Sequence, residues 1–253
     1  MNDTKASLRL PLFLAVVVLL GLVWSGIGPY DRLTWFLEVV PVLVAVPLLV
    51  WTARSFPLTP LAYVLIAVHA LILMYGGHYT YALTPFGDWM QDVFGFTRNH
   101  YDRIGHLMQG FGPAIIAREL LLRTSPLRPG KWLFALVTLS ILGVSASYEF
   151  TEWWAAIAGG DAAGAFLGTQ GDVWDTQWDM FLAGCGAIVA QAVLSRVHDR
   201  QLLRLQPSLR SKWEPARERG RRAGVSESAR RTSAHAPVAP AVNQTTAPGR
   251  GRP

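Results

Sequence analysis

Cysteine and charged residues are scarce in this sequence. The single cysteine, Cys185, has no partner in the chain for a disulfide, and it excludes a zinc site built from several cysteines. Asp, Glu, Lys and Arg make up only 16% of the 253 residues, against about 25% in soluble domains. Hydrophobic residues make up 51%, and the mean hydropathy is +0.26. This composition argues against a water-soluble globule and indicates a membrane protein.

Neither the motifs nor the charge distribution indicates a nucleotide or nucleic-acid partner. The sequence contains no H-E-x-x-H, G-x-S-x-G, G-x-x-x-x-G-K-[ST] or G-x-G-x-x-G. Positive charge is concentrated near the C-terminus, where 12 of the 23 Lys and Arg lie from residue 199 onward beside four acids. The pI near 9.8 therefore reflects a basic tail, and no nucleic-acid binding follows from it.

Six apolar runs are long enough to cross a bilayer, which takes about 20 helical residues. The first run has a basic start at Lys5 and Arg9, but no A-x-A cleavage site follows it, so we interpret it as a retained helix. The fourth run is the weakest because polar residues interrupt it. The predicted fold is an all-α bundle of six transmembrane helices, over roughly residues 10–26, 33–52, 58–75, 104–122, 132–157 and 174–197.

The chain is predicted to divide into a transmembrane domain over residues 1–197 and a basic cytoplasmic tail over residues 198–253. The tail begins with Leu202, Leu203 and Leu205 among arginines, a pattern typical of a short helix on an anionic membrane surface. After about Ser211 it is rich in Arg, Ala, Ser and Pro, and we predict that it is largely disordered.

The basic residues predict the orientation of the chain in the membrane. If the N-terminus is cytoplasmic, only three basic residues before the tail fall on the outer side, namely Arg32, Arg98 and Arg103. This distribution satisfies the positive-inside rule. Six helices then return the chain to the cytoplasm, so both termini are expected there.

Ionisable residues cluster near the expected outer ends of three predicted helices. Such residues cost roughly 2.5–3.5 kcal/mol at the centre of a membrane helix, so their presence needs a reason. Their spacings of three or four residues place the members of each group on one helix face. The groups are Asp102 with His106, Glu149 with Glu152, and Asp172 with Asp175 and Asp179.

We interpret this constellation as a site with catalytic and metal-binding or ligand-binding residues. Asp102 orients the imidazole of His106, which acts as the base, and Glu149 completes the catalytic set. Histidine with carboxylates suits Zn, Mn or Fe, whereas an all-oxygen set suits Mg or Ca, so the expected cofactor is a divalent metal ion such as Zn, Mn or Mg. The metal or ligand-binding candidates are His78, His100, Glu152, Asp172, Asp175 and Asp179.

A structural role is the alternative for the same residues. Arg98 or Arg103 pairs with the acids in that case, and the histidines make packing contacts between helices. Glu38, about 7 Å into the second helix, is a further acid that can join the group.

Four sequence motifs occur in order along the chain. They are GGHYTY from Gly76, RNHYDRIGH from Arg98, YE-x-x-EW from Tyr148 and QGD-x-WDTQWDM from Gln170. Together they resemble the YjdF family of bacterial inner-membrane proteins, a domain type without an assigned function. The resemblance covers the chain from the first helix to about Val197. It implies a multi-pass membrane fold and attaches no reaction to it.

A more distant similarity is to VanZ-like membrane domains, which are associated with low-level glycopeptide resistance. That family has Asp-Lys-x-x-His, then a helix with a key Glu, then Asp-x-x-x-Asn. The corresponding positions here are Asp102 to His106, Glu149, and Asp175 to Asp179. Asp179 stands where that pattern has Asn, which adds a negative charge.

Three functions remain open from the sequence. The first is a metal-assisted enzyme that acts on a lipid-linked substrate from the outer face. The second is a non-catalytic module that binds a lipid headgroup, an antibiotic or a protein partner there. The third, ion or proton translocation, is less favoured because only Arg118 and Glu119 bring charge to the inner half of the helices.

Overall fold

The computed structural model describes residues 3–159 and 169–213, and every regular element in these ranges is helical. A short 3-10 turn at Tyr81–Leu83 precedes the fourth helix. The all-α prediction is confirmed. In chain order the helices are α1 (Asp3–Gly26), α2 (Arg32–Thr52), α3 (Pro60–Tyr79), α4 (Pro85–Phe94), α5 (Tyr101–Thr124), α6 (Lys131–Gly159), α7 (Asp175–Leu205) and α8 (Leu209–Trp213).

Six long helices lie where the six apolar runs predicted them. Helices α1, α2, α3, α6 and α7 are long and apolar enough to span a membrane. Helix α5 has 24 residues, or about 36 Å, but its polar residues make it the least suited to contact lipid. It packs against α3, α6 and α7. Because these neighbours cover it, α5 buries its polar face inside the bundle.

Side-chain caps and prolines mark the starts of two helices. Asp31 caps α2 by accepting a hydrogen bond from the backbone N of Thr34 at 2.7 Å, and this bond lowers the pKa of the Asp31 carboxyl. Thr59 caps α3 in the same way, and Pro60 follows at the first helical position. Each cap satisfies a backbone N–H group that the helix itself leaves without an acceptor.

Helices α5 and α7 approach each other most closely where both carry glycine. A Cβ atom on Gly110 would collide with the backbone carbonyl of Ala183, and one on Gly186 would collide with the carbonyl of Leu107. The Cβ atom added to Gly186 would also lie 2.8 Å from the backbone N of Phe111. Small residues allow such backbone contact between membrane helices.

The C-terminal boundary of the helical region differs from the predicted one. Helix α7 continues eight residues beyond Val197 to Leu205, and it includes the leucines expected to form a separate helix in the tail. By backbone contacts the chain divides into Met1–Leu209 and Arg210–Pro253. The predicted disorder after Ser211 lies almost wholly outside the described residues.

The glycine contact between α5 and α7 generates a prediction about stability. Gly110→Ala places a methyl group against the carbonyl of Ala183, which only a separation of the two helices relieves. We expect a loss of about 1–3 kcal/mol in the free energy of unfolding in detergent micelles, as for other overpacked sites.

Gly143→Ala in α6 is the matched control, because nothing lies within 4 Å of the added methyl group. It should leave stability unchanged or raise it slightly, since alanine favours helix. Equal effects of the two substitutions would show that the α5–α7 contact does not limit stability.

Candidate functional site

Two arginines hold three aspartates at the N-terminal ends of α5 and α7. Arg103 donates to Asp172 at 3.0 Å and to Asp175 at 2.8 Å, and it also pairs with Asp179. Arg98, just before α5, donates to Asp175 at 3.0 Å. Arg98 also binds the backbone carbonyl of Thr169 at 2.9 Å. We call Arg98 and Arg103 the arginine pair; it neutralises much of the negative charge that α7 brings to this end of the bundle.

The amide side chain of Gln170 fixes the segment before α7 to the backbone of the segment before α5. The backbone N of Asn99 donates to Gln170 at 3.1 Å, and the Gln170 amide donates back to the carbonyl of Asn99 at 2.9 Å. The Asn99 side chain is buried, and it donates to Asp88 of α4 at 2.8 Å. Asn99 and Gln170 belong to two of the sequence motifs, and these bonds give both residues a structural role.

His106 lies behind the arginine pair, and one of its two ring nitrogens points toward carboxylates. Its Nδ1 is 3.2 Å from Oε1 of Gln109. Its Nε2 is 3.4 Å from Oδ1 of Asp102 and 3.8 Å from Oδ2 of Asp179. An amide oxygen only accepts hydrogen bonds, so Nδ1 carries the hydrogen. Nε2 therefore faces two carboxylates and needs a positive charge, either a proton or a metal ion, between itself and them.

Helix α6 supplies two further carboxylates to the same histidine. Ligand atoms of His106, Glu149 and Glu152 lie within 4.8 Å of one another, and so do those of Asp102, His106 and Asp179. The Glu149 side chain is buried, and its Oε1 has no hydrogen-bond partner. We call Asp102, His106, Gln109, Glu149, Glu152 and Asp179 the His106 site. Both of its ligand groups have the composition of a metal-binding set.

Glu38 joins this end of the bundle from α2. It is buried, and its Oε2 accepts a hydrogen bond from the hydroxyl of Tyr148 in α6 at 3.2 Å. The Tyr148 ring also meets the edge of the His106 ring, with the centroids 6.4 Å apart. Glu38, which the sequence suggested as a further member of the group of acids, thus lies beside the His106 site.

Two of the predicted ligand residues lie elsewhere. The Nδ1 of His78 is 3.0 Å from the backbone carbonyl of Ser25, and its ring packs against Trp24 at 4.6 Å between centroids. His100 packs edge-on against Phe96 at 4.7 Å. Burial and the charge of Arg98 lower the pKa of His100, which is therefore neutral at pH 7. Neither histidine contributes to the two ligand groups.

Asp172 and Asp175, also predicted as ligands, face the arginine pair. Asp172 additionally accepts a hydrogen bond from the backbone N of Trp174 at 2.9 Å. Both acids therefore make the ion pairs with arginine that were the structural alternative to metal binding. The catalytic and ligand roles assigned from the sequence to Asp102, His106, Glu149, Glu152 and Asp179 stay predictions, on residues that the structure brings together.

A second buried polar cluster lies at the other end of α5, about 20 Å from His106 along the helix. Glu119 is fully buried and accepts hydrogen bonds from Thr59, from Arg123 at 2.8 Å and from Nε2 of His198 at 3.1 Å. Arg118 donates to Asp199 at 2.7 Å and to Nδ1 of His198 at 2.7 Å. We call Glu119 and these partners the Glu119 cluster; it ties α3, α5 and α7 together.

His198, the histidine of this cluster, was not among the residues predicted from the sequence. The predicted sixth span ended at Val197 because hydropathy falls there. Gln191, His198 and Leu202 are seven and four residues apart, which places them on one helix face, and all three are buried. The spacing of these residues continues the helical periodicity past the end of the apolar run, and this signal identifies His198.

Comparison with known proteins places this chain among membrane proteins. Residues 10–200 match the family model described as "Predicted membrane protein (DUF2238)". The chain belongs to this family. The inner membrane protein YjdF of Escherichia coli (strain K12) is 52% identical over 190 residues, which are 75% of this chain and 91% of that protein. No solved structure matches. The resemblance read from the four motifs is confirmed, whereas the similarity to VanZ-like domains stays a prediction.

The arginine pair generates a prediction about this DUF2238 protein. Arg103→Gln leaves Asp175 and Asp179 buried with less positive charge. We expect a loss of about 3–5 kcal/mol in the free energy of unfolding in detergent, because an uncompensated buried charge is costly. The double variant Arg103→Gln/Asp179→Asn should recover part of this loss.

Arg32→Gln is the control, since Arg32 is exposed near the same end of the bundle. It should change stability by less than about 0.5 kcal/mol. If the double variant is no more stable than Arg103→Gln alone, charge compensation is not the role of Arg103.

The Glu119 cluster generates a second prediction. Glu119→Ala leaves Nε2 of His198 and the N–H of Thr59 without their acceptor, and Arg123 without its ion-pair partner. The expected loss is about 3–5 kcal/mol in the same unfolding assay. Asp92→Ala, at an exposed position in α4, should be close to neutral. A neutral Glu119→Ala would contradict a structural role for this cluster.

Proposed function

We propose that this protein is a bacterial inner-membrane enzyme that binds a divalent metal ion at the His106 site and acts on a lipid-linked substrate. The observation that carries the proposal is the buried, unpartnered Oε1 of Glu149 beside His106 and Glu152. A buried carboxylate oxygen without a donor costs free energy, and a bound cation removes that cost.

The surroundings of His106 favour a metal ion as this cation. Gln109 accepts from Nδ1, so the lone pair of Nε2 is available for coordination. A hydrogen bond to the other ring nitrogen is the usual support for a metal-binding histidine. A mixed set of imidazole and carboxylates suits Zn or Mn better than Mg.

His106, Glu149 and Glu152 are the residues that would hold the metal ion. Bound there, it would supply Lewis-acid polarisation of a phosphate or carbonyl oxygen of the substrate. The carboxylate of Asp102 lies 3.4 Å from Nε2, so it would face the same cation, and Gln109 orients the imidazole from the other ring nitrogen. In the orientation that the positive-inside rule favours, with both termini in the cytoplasm, this chemistry faces the outer side of the membrane.

The Glu119 cluster argues against ion translocation as the main function. Between His106 and Arg118, α5 carries no ionisable residue, and the two polar clusters lie about 20 Å apart along this helix. Glu119 has a full set of donors, which favours a fixed structural role over proton exchange. A non-catalytic binding module uses the same His106 site, and an assay for turnover distinguishes it from an enzyme.

Metal content tests this proposal directly. Detergent-purified protein, stripped with a chelator and titrated with Zn or Mn, should bind one ion per chain in calorimetry and elemental analysis. Glu149→Gln removes a charged ligand, so affinity should fall by at least about tenfold, or 1.4 kcal/mol. Gln109→Leu should also weaken binding, by about 10–100-fold, because the support for the imidazole is lost.

Asp92→Asn, an exposed acid in α4 outside both ligand groups, is the control and should bind metal as the parent protein does. If the folded parent protein binds neither ion, the positive charge beside His106 is a proton and the metal proposal fails.

A further inference from the structure

A long apolar cavity runs through the helical bundle toward the His106 site. Its volume is about 940 Å³, and α1, α2, α3, α5 and α6 all contribute to its wall. Along α2 it extends from Glu38 to Trp51, or about 20 Å at 1.5 Å per residue. Most of the wall is aliphatic, for example Pro41, Ala45 and Ile116. This volume is near the upper end of the range of roughly 300–1,000 Å³ for ligand sites.

The carboxylates that line the cavity all lie at one end, whereas the rest of the wall is largely aliphatic and includes Arg54, Tyr63 and His69. Asp102, His106 and Glu152 of the His106 site line that end, together with Glu38 and Tyr148. A wall divided in this way matches a molecule with a polar head and a hydrocarbon chain. The long aliphatic part offers ordered water few hydrogen-bond partners.

Exposed side chains of α1, α2 and α6 line the cavity, and the side between α2 and α6 is one place where it reaches the surface of the bundle. Pro41 of α2 and Val144 of α6 both line it, and both are exposed. Within the described ranges, α2 packs closely on α3 but not on α6. The hydrogen bond from Tyr148 to Glu38 joins α2 and α6 beside the His106 site. An opening through the side of a membrane protein faces lipid chains.

We propose that the cavity holds the hydrocarbon chain of a phosphate-bearing membrane lipid, which enters sideways between α2 and α6. The polar head then lies against His106 and Glu152. The placement of the head rests on the proposed metal function, whereas the placement of the chain rests on the cavity alone.

The phosphate follows from where binding free energy is available. A lipid chain gains little by leaving the bilayer for an aliphatic cavity, because both surroundings are apolar. Selectivity therefore comes from the head. Within the described residues Glu38, Glu149 and Glu152 form no ion pair with Lys or Arg, so the bare site repels an anion. A metal ion reverses this, and a phosphate oxygen is a suitable ligand for it.

Photo-crosslinking tests both parts of this inference. The full chain is reconstituted with Mn into phosphatidylcholine vesicles that contain phosphatidic acid with a diazirine in one acyl chain. The labelled peptides should come from the α2 and α5 walls around Ala45 and Ile116. Unlabelled phosphatidic acid should compete at least about tenfold better than diacylglycerol, which has the same chains without the phosphate.

Cavity-filling variants supply the matched controls. Ala45→Phe occupies the cavity, and labelling of the wall peptides should fall at least about tenfold. Val44→Phe, at the exposed neighbouring position outside the cavity wall, should label as the parent protein does. Ile116→Trp and Leu120→Trp form a second such pair on α5, should one α2 variant fail to fold.

The outcomes separate this inference from the metal function. Equal labelling of both members of each pair, or labels confined to outward-facing residues, overturns the chain site. If Glu149→Gln loses metal and the preference for phosphatidic acid but keeps wall labelling, chain and head placement both stand. Wall labelling without any preference for phosphatidic acid, in protein shown to hold Mn, overturns the placement of the head.

Discussion

The absence of water from the bilayer interior is the constraint on which this structure depends. Every polar group within the hydrocarbon must find its partner inside the protein. The requirement falls mainly on α5, which carries buried Asp102, His106, Arg118 and Glu119. Helices α3, α6 and α7 surround it, so these side chains meet protein groups and not lipid. The long helix without an apolar stretch of membrane-spanning length is therefore the one that the others enclose, and the five helices with such a stretch supply the surface that faces the membrane.

The backbone contact between α5 and α7 makes this arrangement geometrically specific. Gly110 and Gly186 allow the two helices to touch near their midpoints, which fixes how one is aligned along the other. That alignment sets the pairing at both ends. At one end Arg103 of α5 reaches Asp175 and Asp179 of α7. At the other end Arg118 of α5 reaches Asp199 of α7. A shift of one helical turn, about 5.4 Å, would separate both sets of charges. The glycine contact and the ion pairs thus support one another.

The sequence predicted the helices well and the site in part, for reasons that particular residues show. Hydropathy and spacing identified six long helices and the faces that carry Asp102 and His106, because both depend on local periodicity. His78 was assigned to the site because it lies near the same end of the bundle, but spacing within one helix does not say which neighbour a face meets. The pairing of Asp175 with the arginine pair was foreseen only as an alternative, since the choice between an arginine and a metal ion depends on distances between helices. His198 was missed because the end of the apolar run was taken as the end of α7.

The two buried histidines show why one cluster is structural and the other a candidate for chemistry. His198 accepts from Arg118 at Nδ1 and donates to Glu119 at Nε2, so both ring nitrogens are satisfied in the neutral form. His106 donates at Nδ1 to Gln109, but its Nε2 meets two carboxylates. Close by, Oε1 of Glu149 has no partner. The same residue types pair with one another in the Glu119 cluster, whereas the His106 site keeps a buried carboxylate oxygen without a donor. A network in which every polar group has a partner stabilises a fold. A network with an unpartnered polar group, at the end of a cavity large enough for a lipid chain, is suited to bind a ligand.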